Sequence, residues 1–86
     1  MKDYKNNKVV IDTSTNWIYI GTLVDEDDVY FVLEDADAFD ISEVSLSKHE
    51  YLMRVKKDGV APNRKRVKVL KSKVVGITLL EDIIEK

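Results

Sequence analysis

The sequence predicts a mainly β fold: a small, strongly bent barrel of five strands, with one helix inserted at about residues 48–58. Five short runs rich in β-branched and aromatic residues alternate with turn-forming residues. Gly21 lies in the middle of the second run, where it indicates a sharp bend or a close backbone approach. A helical pattern separates the third run from the fourth.

The first two strands are predicted at Lys8–Thr13 and Trp17–Val24, joined by the turn-forming residues 14–16. Both faces of the second strand are largely apolar. A barrel strand that packs inward and also contacts a second element outside has this pattern. The third strand is predicted at Val29–Glu34, after the acidic turn Asp25–Asp28.

Residues 35–43 are acidic and are predicted to be irregular, and a helix is predicted to follow at Lys48–Asp58. Ser47 and Glu50 have the spacing of a capping box, in which each side chain bonds the other residue's backbone amide. Apolar residues then recur at helical spacing, and Gly59 is well placed to end the helix.

The last two strands are predicted near Val67–Lys71 and Val74–Leu80, with only two residues between them. These strands form either a tight hairpin or one sharply bent ribbon. Five short strands with a bent second strand indicate a small, partly open barrel of SH3-like or OB-like type. The length of 86 residues fits a single domain spanning residues 1–86.

The composition excludes several classes of structure and site. The chain has no cysteine, which excludes a disulfide framework and a thiolate metal site and favours a cytoplasmic protein or one stabilised by oligomerisation. The N-terminal residues have no apolar segment typical of a signal peptide. No apolar run approaches the roughly 20 residues that a membrane span needs, so no membrane partner is expected.

Charge is distributed unevenly along the chain. Residues 25–50 contain ten acidic residues and one basic residue, whereas residues 54–73 contain nine basic residues and one acidic residue. Two solvated faces, a contact with phosphate backbones and a contact between subunits all remain open. The candidate phosphate-binding strip consists of Arg64, Lys65, Arg66 and Lys68, close to Lys71 and Lys73.

Two stretches of the sequence resemble motifs of a known family. An apolar strand ending in Thr13 is followed by a strand carrying Gly21 and Leu23, an acidic turn and an apolar strand. This pattern, over residues 9–35, resembles the first motif of the Sm-like family, whose proteins form rings that associate with RNA. Residues 67–77, two apolar strands around a basic turn, are similar to the second motif.

The resemblance implies a barrel whose fourth strand pairs with the fifth strand of a neighbour, closing a ring of about five to eight identical subunits. It also implies binding of single-stranded RNA by the two turns within the motifs. Tyr30 stands near the position of the family's Asn, and Lys71-Ser72 replaces its Arg-Gly. The candidate RNA-binding residues are therefore Tyr30, Lys71, Ser72 and Lys73.

The sequence contains no pattern typical of an enzyme. The single histidine, His49, has no nucleophile in a recognisable arrangement near it, and no serine lies in a G-x-S-x-G setting. The acidic turn lacks the alternating spacing of a calcium loop, so neither a metal site nor a cofactor is predicted. Two functions are expected: a ring-forming RNA adaptor or chaperone, or a structural ring that has lost the RNA pocket and binds proteins.

Overall fold

A computed structural model describes residues 3–85, which form one antiparallel sheet of five strands in the order β4-β3-β2-β1-β5. A helix, α1, lies between β3 and β4 in the chain. The mainly β fold with one inserted helix is therefore confirmed. The elements are β1 (Lys8–Thr13), β2 (Trp17–Glu26), β3 (Tyr30–Asp40), α1 (Lys48–Asp58), β4 (Arg64–Leu70) and β5 (Val74–Leu79).

The third strand is longer than predicted, because residues 35–40 continue β3 instead of forming an irregular segment. Asp35 has a positive φ of 49° and lies where the pairing of β3 with β2 shifts register. Such a bulge interrupts the alternation of inward and outward side chains. After the bulge, Ala36 and Ala38 are buried. Their acidic neighbours in the sequence had suggested that the whole segment was exposed to solvent.

The fourth and fifth strands form a bent ribbon and not a hairpin. They lie at opposite ends of the strand order, and a single 3-10 turn, Lys71–Lys73, connects them. A link of three residues between the two edges of a sheet requires the sheet to curl round on itself. The result is the predicted partly open barrel.

The curl depends on a close approach between β2 and β3. A Cβ atom on Gly21 would lie 2.9 Å from both Cα and Cβ of Ala36 and 3.1 Å from the Glu34 carbonyl oxygen. Glycine is therefore required at this position by contact with neighbouring backbone, as its place in the middle of the strand predicted.

The barrel has two hydrophobic clusters. The first fills its interior and includes Val9, Ile11, Leu23, Phe31, Leu33, Ala36 and Val69. The second lies under α1 and combines Leu52 and Val55 of the helix with Val10, Ile18, Ile20 and Leu80. Both faces of β2 are thus covered, and α1 is the external element that its apolar pattern predicted.

The helix has the predicted bounds, and its capping box is confirmed. The Glu50 amide donates to Ser47 Oγ at 3.2 Å, and the Ser47 amide donates to Glu50 Oε1 at 3.4 Å. Gly59 ends the helix with a φ of 92°. Within residues 3–85, no helix combines the length and apolar character needed to cross a membrane.

A buried polar network fastens α1 to the sheet. Asp37 is only 5% exposed, and it accepts hydrogen bonds from the Tyr51 hydroxyl and, at 3.4 Å, from Asn63 Nδ2. Burial raises the pKa of Tyr51, and together with the hydrogen bond to Asp37 and the negative charge of Asp37 it brings that pKa to about 12. Asn63 also bonds both backbone groups of Ala38.

We expect Ser47→Ala to destabilise the protein by about 1 kcal/mol, because the Glu50 amide loses its acceptor at the helix start. In a thermal melt this corresponds to a decrease of about 4–8 °C in Tm for a domain of this size. Ser45→Ala is the matched control, since the Ser45 hydroxyl makes no hydrogen bond within residues 3–85. Equal melting temperatures for the two variants would contradict the capping role.

We expect Tyr51→Phe to lower the free energy of unfolding by about 1–3 kcal/mol near neutral pH, because Asp37 loses its principal donor. A tyrosine whose pKa is raised by folding stabilises the protein below the unfolded pKa of about 10, and that contribution is lost as pH rises through about 12. Denaturant unfolding at about pH 9 and about pH 11.5 should therefore show the difference from wild type shrinking.

Tyr30→Phe is the control for this experiment, because the Tyr30 hydroxyl has no hydrogen-bond partner within residues 3–85. It should have little effect at either pH. A difference between wild type and Tyr51→Phe that stayed constant across this range would exclude the proposed role of the Tyr51 proton.

Candidate nucleic-acid interface

Two turns of the barrel lie side by side and are called the paired turns: residues 27–29, between β2 and β3, and residues 71–73, between β4 and β5. The backbone amide of Lys71 donates to the Val29 carbonyl at 2.8 Å. Tyr30 pairs with Leu70 in the adjoining strands. Tyr30 and Lys71, which are distant in sequence, therefore lie at the same end of the β3–β4 ladder.

Asp27 shapes the first of these turns. Its Oδ1 atom accepts hydrogen bonds from the amides of Val29, at 2.8 Å, and Tyr30, at 2.7 Å. The pKa of Asp27 is lowered, chiefly by the amides of Tyr30 and Val29, because these bonds favour the ionised carboxylate. An acidic residue that looks like part of a solvated run thus has a structural role, which the turn preference of aspartate indicates.

Lys71 is held in place by an acidic partner. Its Nζ atom lies 2.6 Å from Glu26 Oε1 and 4.9 Å from the centroid of the Phe31 ring. The hydrogen bond and positive charge of Lys71 lower the pKa of Glu26 in opposition to desolvation. The ammonium group is therefore already partly neutralised by a carboxylate of the same chain.

Tyr30 lies on the opposite face of β3 from Phe31 and Leu33, as its alternation predicts. Phe31 and Leu33 are buried in the barrel interior, whereas Tyr30 is half-buried. The Nζ atom of Lys68 lies 5.4 Å from the centroid of the Tyr30 ring, in cation–π range. A base that stacks on this ring must use its other face or displace Lys68.

Ser72 and Lys73 are exposed, and Lys73 forms no ion pair within residues 3–85. The Lys73 carbonyl accepts a hydrogen bond from the Ser14 amide at 2.8 Å, which fixes the turn against the end of β1. The cluster beneath α1 contains no residue of the paired turns. The helix therefore packs against another part of the barrel, and the second turn stays exposed.

The basic strip follows β4, where Arg64, Lys65, Arg66 and Lys68 are all exposed. Arg66 lies 3.1 Å from Glu34 of β3, and both side chains are exposed enough for the pair to contribute at most about 1 kcal/mol. Arg64 donates to the neighbouring Asn63 carbonyl at 3.2 Å.

Folding thus brings the acidic and basic halves of the chain together on adjacent strands. Two ion pairs, Arg66 with Glu34 and Lys71 with Glu26, join the basic segment to the acidic one. The residues that sequence reasoning missed are Glu26, the partner of Lys71, and Glu34, the partner of Arg66.

The described residues do not form a metal-binding site. Between residues 3 and 85, no three His, Asp or Glu side chains are grouped so that they could hold an ion. The acidic run Asp25–Asp28 is divided between the end of β2 and the turn, and its Asp27 carboxylate binds backbone amides instead.

Solved structures of similar fold include two that cover most of the chain. A chain of an Sm protein from Pyrococcus abyssii, in complex with a uridine heptamer, matches with 16% identity and a TM-score of 0.61, over 91% of this chain and 89% of that one. A chain of the NatC complex bound to CoA matches with 18% identity and a TM-score of 0.60, over 91% of this chain and 80% of that one.

No family model and no curated protein matches the sequence. At these identities the two likenesses show the fold, which is the Sm-like barrel that the motifs predicted.

Proposed function

We propose that the protein is a ring-forming Sm-like adaptor that binds single-stranded RNA and has no catalytic role. The observation that carries the proposal is the Sm-like barrel with its two turns joined side by side. The similar Sm protein from Pyrococcus abyssii was solved with bound uridine heptamer. The lack of cysteine in the sequence fits a cytoplasmic setting for this function.

Ring formation is supported by the free edges of the sheet. Within the described residues, β4 pairs only with β3, and β5 pairs only with β1. Each edge therefore has backbone donors and acceptors on one side that another chain could bind. Pairing of one subunit's β4 with another's β5 is head-to-tail, and such contacts close into rings when the rotation permits.

RNA binding is supported by the side chains at the paired turns. Lys73 is exposed and has no acidic partner among residues 3–85, and Lys71 lies close to it in the same turn. Repeated once per subunit, these lysines would give a circle of positive charge for phosphates, while Tyr30 would stack on a base. Ser72 would offer a hydroxyl for hydrogen bonding where the family has glycine.

A second function is favoured by the bond between Lys71 and Glu26. Because this carboxylate already partly neutralises Lys71, and Asp27 and Asp28 lie nearby, phosphate would be repelled at the same opening. A structural ring that binds protein partners is compatible with these charges. The similar chain of the NatC complex belongs to a structure of a protein complex.

We expect the wild-type protein to form a closed homo-oligomer at micromolar concentration, because pairing satisfies both free edges. Native mass spectrometry and light scattering should give one mass at an integral multiple of the 9.9 kDa chain. A single species of 9.9 kDa over this concentration range would contradict the ring.

We expect Lys71→Ala to weaken oligonucleotide binding for all sequences alike and to flatten the salt dependence. Each phosphate contact on a single strand contributes about 0.7 to the slope of log K against log salt. Glu26→Gln should act in the opposite direction, since it removes the carboxylate charge that holds Lys71. Fluorescence anisotropy with oligo-uridine and oligo-adenine at several salt concentrations measures both effects.

Tyr30→Ala should instead cost about 1–3 kcal/mol per stacked base and leave the salt slope largely unchanged. Tyr30→Phe, which keeps the ring, is the matched control and should retain binding. If the assembled wild-type protein binds neither oligonucleotide at low salt, the protein-binding ring replaces the RNA adaptor as the function.

A further inference from the structure

Trp17 is an exposed aromatic residue at the start of β2. It is the only tryptophan in the sequence, and it is 39% exposed. Its amide donates to Thr15 Oγ1 at 3.1 Å, and its carbonyl accepts a hydrogen bond from Thr13 Oγ1 at 2.7 Å. Two threonine hydroxyls thus hold the backbone of Trp17 in place, although its side chain is exposed to solvent.

A second aromatic ring lies next to the ring of Trp17. The rings of Trp17 and Tyr19 are stacked, with their centroids 6.4 Å apart and an angle of 27° between their planes. Tyr19 is half-buried and packs against the hydrophobic cluster of the barrel interior. Tyr19 therefore anchors the pair in the barrel, and Trp17 forms the exposed end.

The side chain of Asp40 lies beside Trp17 on the same face of the sheet. The two residues are register partners in β2 and β3. In the preceding pair of this ladder, the Ile41 amide donates to the Asn16 carbonyl at 2.9 Å. Hydrogen-bonded and non-hydrogen-bonded pairs alternate along an antiparallel ladder, so Trp17 and Asp40 form a non-hydrogen-bonded pair. Side chains approach one another most closely in pairs of this kind.

The Asp40 carboxylate is half-buried, and one of its oxygens is free to accept hydrogen bonds. Its Oδ1 atom accepts from the Ser42 amide, at 2.9 Å, and from the Ser42 hydroxyl, at 2.6 Å. Within the described chain, Oδ2 has no hydrogen-bond partner and the carboxylate forms no ion pair. Ser42 therefore orients a negatively charged acceptor beside an exposed indole ring.

Other aromatic rings of the barrel already have a cation nearby. Tyr30 and Phe31 each have a lysine of the same chain in cation–π range. Between residues 3 and 85, no lysine or arginine lies in that range of Trp17 or Tyr19. The Trp17 ring and the Asp40 carboxylate both attract a cation, and the described residues do not supply one.

We propose that Trp17 and Asp40 bind an arginine side chain of a partner protein. The guanidinium stacks on the Trp17 ring, and one of its N–H groups donates to Asp40 Oδ2. Arginine fits better than lysine, because its planar, weakly hydrated cation can stack on the indole and direct an N–H group at the carboxylate at the same time. Nucleic acid fits poorly, because Asp40 repels the phosphates that dominate its affinity.

This surface is separate from the first of the paired turns. Trp17 and Asp40 form the first pair of the β2–β3 ladder, whereas Glu26 and Phe31 form the last pair, next to residues 27–29. The inference therefore goes beyond the proposed function, since it requires neither RNA binding nor the ring.

The test compares three short peptides on the wild-type protein. Each is an acetylated and amidated tripeptide with glycine at both ends and arginine, citrulline or lysine in the middle. We expect the arginine peptide, at millimolar concentration, to change the fluorescence of Trp17 and to shift its indole N–H resonance. Citrulline is also planar but is uncharged, so its peptide should bind at least about tenfold more weakly. The lysine peptide should fall between them.

Asp40→Asn removes the charge but keeps a side-chain oxygen that can accept from Ser42. It should weaken binding of the arginine peptide at least about fivefold and reduce the preference over citrulline. Glu43→Gln is the matched control, because it removes the same charge from an exposed carboxylate of the same 3-10 turn, and it should bind as wild type does. Trp17→Leu stays apolar but lacks the ring, and it should abolish binding, measured from the amide resonances of β2.

Three results would overturn the proposal. The first is no response of the wild-type protein to the arginine peptide, or an equal response to the citrulline peptide. The second is an equal effect of Asp40→Asn and Glu43→Gln, with unchanged melting temperatures for both variants. The third is a change in Trp17 fluorescence with oligo-uridine or oligo-adenine but not with the arginine peptide, which would assign the surface to base stacking.

Discussion

The close packing of β2 against β3 at Gly21 is the constraint on which the architecture depends. A side chain at Gly21 would collide with the backbone and Cβ of Ala36, so the close approach of the two strands requires glycine there. The bend curls the sheet until its two edge strands are near enough to be joined by Lys71–Lys73. Without it, the sheet would lie open and the paired turns would separate.

Curling also determines how the apolar residues are divided. The concave side closes around the interior cluster, which leaves a second apolar surface on the outside of β1 and β2. The helix α1 covers that surface with Leu52 and Val55, and the bond from Tyr51 to the buried Asp37 fixes its position. The helix inserted between β3 and β4 therefore completes the hydrophobic core. This matters in a short domain, because such a domain buries a smaller fraction of its surface on folding than a large one does.

Charges are organised by the same topology. Because β3 pairs with β4, acidic and basic segments that are separate in sequence become neighbours, as in the contacts of Glu34 with Arg66 and of Glu26 with Lys71. Lys73, in the second of the paired turns, keeps an exposed charge with no ion pair within residues 3–85. Strand pairing thus neutralises part of the basic segment within the chain.

The sequence alone determined the features that a local pattern encodes: the β-branched run of the first strand, the bounds of α1 and the capping box of Ser47. It also determined the close approach at Gly21 and the Sm-like barrel. Only the tertiary structure decided that β3 continues through Asp37 and that Lys71 is held by Glu26. The bulge in β3 changes which side chains face inward, so the alternation before it does not predict the residues after it. Lys71 and Glu26 are far apart in sequence, so no local pattern predicts their contact.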